Sequence, residues 1–310
     1  MASIKLLLPH NVRREFLLLC RDYYQLTKPK VVALLVLTAW VGMMLATPSI
    51  PDLIKIVFAC IGIGLVSAAA AAFNQVLDQK IDAQMARTHM RPLPKGRLST
   101  TQAVTFACAL AILGFAILSL GINWLTAWLT LSGLFGYAVV YTLLLKRATP
   151  QNIVIGGIAG ALPPVLGWSA MTGQVGGEAL LLMMMVFTWT PPHFWALAIH
   201  RVNDYARAGI PMLPVTHGIE FTKTLILLYT LLLAVVCLLP YLIGMSGLIY
   251  LLGALVMSAK FIAHAWQLKF HADAESAMKT FRFSIVHLMA LFLILLVDHY
   301  VYWNLQMLVR

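Results

Sequence analysis

Asn74, Asp78 and Asp82 lie at intervals of four, in the run N-Q-V-L-D-Q-K-I-D that closes an apolar stretch from Leu53 to Phe73. On a continuing helix the three side chains share one face, about 6 Å apart. Two carboxylates held that way repel each other unless a cation lies between them. With an amide oxygen beside them they form an oxygen-donor set suited to Mg2+, an ion that keeps waters and binds substrate phosphates. Arg87, Arg91, Lys95 and Arg97 follow directly. Guanidinium groups take phosphate oxygens two at a time, and the Pro92-Leu93-Pro94 stretch stiffens the loop that presents Arg91. The pattern predicts metal-assisted diphosphate chemistry at a membrane surface. The plain alternative is a solvated acidic loop beside residues that are basic for topological reasons.

Other residues add to this picture. Lys146 and Arg147 stand at the end of another apolar stretch and are further diphosphate candidates. A second acidic segment runs from His200 through Asp204 to Pro214. His193, beside Pro192 and among Trp189, Phe194 and Trp195, lies within an apolar run, and ionisable groups there are functional suspects. His200 lies seven residues on, near the same helical face. The pair would suit a large planar metal-bearing ligand with histidine as axial ligand. The competing reading of each is a hydrogen-bonded packing histidine. No CxxCH occurs, so covalent heme attachment is excluded.

Long apolar helices must position these groups. The chain is 61% hydrophobic and 11% charged, against about 25% charged in soluble domains. Apolar stretches long enough to cross a bilayer of ~30 Å fall at 31–47, 53–73, 102–120, 124–145, 152–171, 179–199, 225–243, 248–266 and 283–305. The expectation is an all-α polytopic membrane protein, nine transmembrane helices around a central cavity, in one domain over residues 1–310. Residues 1–28 are expected as a basic, partly amphipathic segment on the cytoplasmic surface rather than a removable signal peptide. Of the 22 lysines and arginines, all but Lys55 and Arg310 lie in or beside that segment or toward the loops after helices 2, 4, 6 and 8, Lys30 just past the segment and Lys260 within helix 8. The positive-inside rule then places the N-terminus and both long loops in the cytoplasm. The net charge of +11 is mostly this topological signal, with some attraction to anionic membrane lipid, and does not argue for nucleic acid. Cys20, Cys60, Cys108 and Cys237 show no metal or disulfide spacing and read as small packing residues.

Asp78 and Asp204 each follow an even-numbered helix, four helices apart. This predicts two four-helix units in the same orientation with a ninth helix appended, their acidic ends facing each other. Gly156, Gly157, Gly160, Pro163-Pro164 and Pro191-Pro192 mark kinks or cavity-lining breaks in helices 5 and 6.

The run Asn74-x-x-x-Asp78-x-x-x-Asp82, followed by Arg87-Thr-x-x-Arg91-Pro-Leu-Pro, resembles the first motif of the UbiA superfamily of intramembrane prenyltransferases. The segments 141–152, 190–199 and 204–214 resemble the branch that prenylates heme. The likeness spans helices 1 to 7; after about Thr224 it rests mainly on hydropathy. It implies farnesyl diphosphate and heme b as substrates, Mg2+ as cofactor and heme O as product, made for terminal oxidases in the bacterial inner membrane. Oxidase assembly proteins would be further partners. Asn74, Asp78 and Asp82 match the first metal motif and Asp204 the second, which makes the three aspartates the expected catalytic carboxylates. Many members have two aspartates four apart in the second motif. Here His200 and Ala208 flank Asp204, a poorer metal shell. Three other readings share parts of this pattern: prenylation of an aromatic quinone precursor, a secondary transporter, and a non-catalytic heme-handling protein.

Overall fold

The computed structural model describes residues 10–85, 88–271 and 275–309; the side chains of 10–12, 147 and 302–309 are outside the description. Among the described residues the chain is helical, with no strand. This follows from the composition, because backbone polar groups in lipid must be satisfied within the segment itself. Helix α1 (His10–Leu26) bends by 50° into α2 (Pro29–Leu45). Then come α3 (Leu53–Leu77), the short α4 (Gln79–Asp82), α5 (Thr100–Gly121) and α6 (Trp124–Phe135). α6 runs on as a π-helix over Gly136–Leu145. Helices α7 (Asn152–Ala161) and α8 (Pro163–Thr172) form one span broken at Leu162, where the Pro163-Pro164 pair begins a new helix. After them come α9 (Gly177–His200), α10 (Val202–Arg207), α11 (Ile219–Val236), α12 (Leu248–Phe270) and α13 (Ser276–Val309).

Among the described residues eight spans are long and apolar enough to cross a bilayer, and the bent pair α1 and α2 makes a ninth. α2 alone has 17 residues, about 25 Å of helix. Counting the bent pair as one span, the described residues match the expected nine, with most ends shifted by a few residues and the starts of α11 and α13 by more. Pro191 and Pro192 do not break α9, which runs unbroken from Gly177 to His200.

Small residues set the closest helix contacts. A side chain at Gly114 would run into the carbonyl of Gly62, and one at Gly62 into Leu118, so α3 and α5 meet nearly backbone to backbone. The first spans of the two expected units, α2 and α8, meet in a reciprocal way. Gly42 abuts the carbonyl of Pro164, and Gly167 abuts the carbonyl of Ala39. The same three-residue step is used from both sides, as expected of two helices in equivalent positions.

Polar contacts sort the connections into two ends. At one end Lys28, Asn74, Asp78 and Lys146 meet. At the other, Asn123 Nδ2 donates to the Ser169 carbonyl at 2.9 Å, and Asp298 accepts from the backbone N–H groups of Gly247 and Tyr250. The division matches the expected alternation of loops. Of the eight spans, α3, the α7–α8 span and α9 are the most enclosed, so both acidic motifs extend from the interior of the bundle.

Candidate active site

The helical ladder continues through the first motif although α3 ends at Leu77. The backbone N–H of Asp78 donates to the Asn74 carbonyl at 2.9 Å, and that of Asp82 to the Asp78 carbonyl at 2.8 Å. Asn74, Asp78 and Asp82 are all buried, so the solvated-loop alternative does not hold. Asn74 Nδ2 donates to Asp78 Oδ2 at 3.0 Å and to Thr142 Oγ1 at 2.9 Å. Its Oδ1 accepts from Lys28 Nζ.

A separate cation accompanies each carboxylate. Lys146 Nζ lies 2.6 Å from Asp78 Oδ2, and Arg91 NH1 lies 2.6 Å from Asp82 Oδ2. Buried carboxylates four residues apart are tolerable on these terms, since buried charge must be paired. The π-helix aims the lysine. Its rungs reach five residues back, as in Lys146 N–H to the Tyr141 carbonyl, and the Thr142 hydroxyl donates over the same interval to the Tyr137 carbonyl at 2.8 Å. Asn152 then ties the following turn to α7, donating to the Thr149 carbonyl at 2.8 Å.

Lys28 and Thr142 were not singled out by the spacing argument. Lys28 is the only described non-glycine residue with positive φ, at 47°, a left-handed conformation costly for a side-chain-bearing residue. It precedes Pro29, which disfavours the ordinary helical region. The strained turn places its ammonium on Asn74 and 5.9 Å from the centre of the Tyr137 ring. Gln75 holds the same bend, its Nε2 donating to the carbonyls of Gln25 and Leu26, both at 3.0 Å. The signal available in the sequence was the Lys-Pro start of α2 itself.

Asp204 sits on α10, partly exposed, 3.6 Å from Arg201 NH1. Among the described residues no three Asp, Glu, His or Cys side chains converge as a metal cluster. The two motif loops nevertheless pack together, since Ile81 and Met85 share an apolar cluster with Tyr205, Ile210 and Met212. Arg87 lies outside the described residues, as does the side chain of Arg147. His200 is exposed at the end of α9, whereas His193 is buried against α13. An apolar cleft of about 550 Å³ lies beside the cluster, lined by Tyr24, Thr27, Pro29, Val36, Trp40 and Cys60 among others.

The oxygen donors of Asn74, Asp78 and Asp82 fit a hard divalent cation, and Lys28 and Lys146 already bring positive charge against two of them. Chemically, the cluster offers carboxylate and amide oxygens to a metal, and ammonium and guanidinium groups to a diphosphate.

The model of the UbiA prenyltransferase family matches residues 35–295. The chain belongs to this family. The match passes well beyond Thr224, where the motif likeness ended, so the last spans belong to the family unit as well. Among similar proteins, one from Colwellia psychrerythraea named protoheme IX farnesyltransferase is 64% identical over 90% of this chain and 92% of its own length. A protein of the same name from Idiomarina loihiensis is 62% identical over 91% and 94%. The fold is shared with a solved digeranylgeranylglyceryl phosphate synthase, with a TM-score of 0.77, 20% identity and coverage of 91% and 98%. It is shared too with a UbiA homolog from Archaeoglobus fulgidus bound to GPP and Mg2+, with a TM-score of 0.63, 19% identity and coverage of 88% and 99%.

Proposed function

We propose that the chain transfers a farnesyl group from farnesyl diphosphate to a vinyl group of heme b, with addition of water, giving heme O. The observation that carries this reading is the identity of 60–64% over nine-tenths of the chain to relatives named protoheme IX farnesyltransferase. The cluster of Lys28, Asn74, Asp78, Asp82, Arg91 and Lys146 supplies the chemistry that such a reaction needs.

In this reading the diphosphate lies at the cationic groups. Lys28, Lys146 and Arg91 exchange their carboxylate and amide partners for phosphate oxygens, with Arg87 and Arg147 as further candidates. The freed oxygens of Asn74, Asp78 and Asp82 would hold Mg2+, and Asp204 from the second loop would add a further ligand. Bound there, the ion supplies neutralisation of the charge that builds on the leaving diphosphate. The lysines and Arg91 act on the same charge, and being fixed beforehand they cost little reorganisation as it develops. The farnesyl C1–O bond breaks and leaves an allylic cation. The electron-rich heme vinyl group attacks C1, and water adds to the resulting heme-side cation with loss of a proton. The isoprenoid chain lies in the apolar cleft along Val36 and Trp40, whose inner end, at Thr27 and Pro29, flanks Lys28. His193 serves the acceptor side. The reaction takes place at the cytoplasmic end of a bacterial inner-membrane protein, where soluble diphosphate is released as membrane-soluble substrates meet.

Detergent-purified protein incubated with heme b, farnesyl diphosphate and Mg2+ should yield heme that has gained one farnesyl group and one hydroxyl group, as read by mass spectrometry. Unchanged heme from folded protein, with prenylation of an aromatic acceptor under the same conditions, would overturn the choice of acceptor.

A further inference from the structure

His193 Nδ1 and Ser284 Oγ are 2.6 Å apart, joining α9 to α13. Which atom donates follows from the rest of the network. The Ser284 hydroxyl has one proton, and it is committed to the Phe281 carbonyl at 2.6 Å. Toward the imidazole the oxygen can then only accept. Nδ1 therefore carries the hydrogen, and the neutral ring keeps a bare lone pair on Nε2.

The ring is also held in place. Trp189 stacks on it at 4.1 Å with an interplanar angle of 20°, Phe281 at 4.5 Å and 29°, and Phe194 meets it edge-on at 5.0 Å. Trp189 is fixed through its indole N–H, which donates to the Ser284 carbonyl at 2.7 Å. Ser284 thus governs His193 twice, by its hydroxyl on the ring nitrogen and by its carbonyl on the stacking indole. With Nδ1 and both faces engaged, the Nε2 edge is what remains for a ligand, and Nε2 makes no hydrogen bond to a described residue.

We propose that Ser284 is a positioning residue for His193, locking the Nδ1–H tautomer so that Nε2 offers its lone pair to the iron of the heme acceptor. The substrate part of this inference rests on the function proposed above; the tautomer rests on the hydrogen bonds alone. Partners of this kind, which orient a metal-binding histidine through its other nitrogen, typically contribute 10- to 100-fold in affinity.

The test uses the full-length protein in detergent. Nitrogen NMR of histidine-labelled protein, with the His193 signals assigned by their loss in His193→Gln, should show Nδ1 protonated and Nε2 bare. In Ser284→Ala that pattern should give way to a mixture of tautomers. Heme b affinity should fall about 10- to 100-fold while farnesyl diphosphate affinity stays unchanged. Ser284→Thr, which keeps the hydroxyl, should restore both the spectrum and heme binding. A protonated Nε2 in the parent protein, or undiminished heme affinity in Ser284→Ala, would overturn the proposal. If the alanine variant does not fold, the parent spectrum and the threonine variant still decide it. A parent protein that binds no heme b would instead sink the acceptor assignment, with the nitrogen spectrum still deciding the tautomer.

Discussion

Lys146 Nζ lies 2.6 Å from Asp78 Oδ2, a contact between residues 68 apart in sequence, made by the end of a π-helix. Both partners are largely enclosed, so the pair differs from a surface salt bridge. Removing one partner of such a pair leaves an uncompensated buried charge, at a cost of about 3–5 kcal/mol, whereas replacing both can be nearly neutral. Lys146→Met should therefore lower thermal stability in detergent and abolish turnover. Combining it with Asp78→Asn should recover most of the stability and none of the activity. Recovery of heme O formation in the double variant would remove this pair from the proposed chemistry.

The cleft beside Lys28 makes a separate prediction. Val36→Trp would fill the apolar space proposed for the isoprenoid chain without touching the acidic motif. The KM for farnesyl diphosphate should rise about tenfold, equivalent to roughly 1.4 kcal/mol of lost binding, with kcat little changed. An unaltered KM would place the chain elsewhere.

At the interface of α2 and α8, Gly167 has backbone rather than a movable side chain in the way of any Cβ. Gly167→Val should cost at least the 1–3 kcal/mol usual for overpacking, seen as a fall in the yield of monodisperse protein. Gly160, which has open space around it, should accept alanine with little change in the same assay.

Asp298 is buried at the opposite end of the bundle, where it accepts from the first backbone N–H groups of α12, 3.0 Å from Tyr250 N. This is a cap supplied by another helix. Asp298→Ala should lower the melting temperature by an amount corresponding to about 1–3 kcal/mol. The KM for either substrate should not move, because the cap lies at the far end from the acidic motifs.

Orientation can be checked in a background lacking the four native cysteines. Lys95 and Gln174 are both exposed, on loops assigned to opposite ends. A membrane-impermeant thiol reagent applied to intact cells should label Gln174→Cys and spare Lys95→Cys. The reverse pattern would invert the proposed topology.

Much of the architecture was legible because lipid imposes a simple rule. A span must be apolar over its whole length, and basic residues then mark one side. The positions of Asn74, Asp78 and Asp82 were legible for a related reason, since four-residue spacing survives as long as the ladder of backbone hydrogen bonds does. The partners of these residues were not. Lys28 reaches Asn74 only through a left-handed turn, and Thr142 reaches it only because the π-helix rotates that part of the span. Ser284 resembles a packing serine in sequence, because its partner His193 is 91 residues away. The spacing of the second motif was legible too, but not what surrounds Asp204: it pairs with Arg201 on its own turn, and the two loops meet through apolar side chains.

The π-helix gives the length of its span a meaning of its own. Removing one residue from Gly136–Leu145 with the rungs otherwise kept would turn everything beyond them by roughly a quarter of a turn. The shortened span would still cross the bilayer, and its hydropathy would be unchanged. Lys146, however, would face a different neighbour. Chains that inherit this site are therefore expected to vary in the letters of this stretch more freely than in their number.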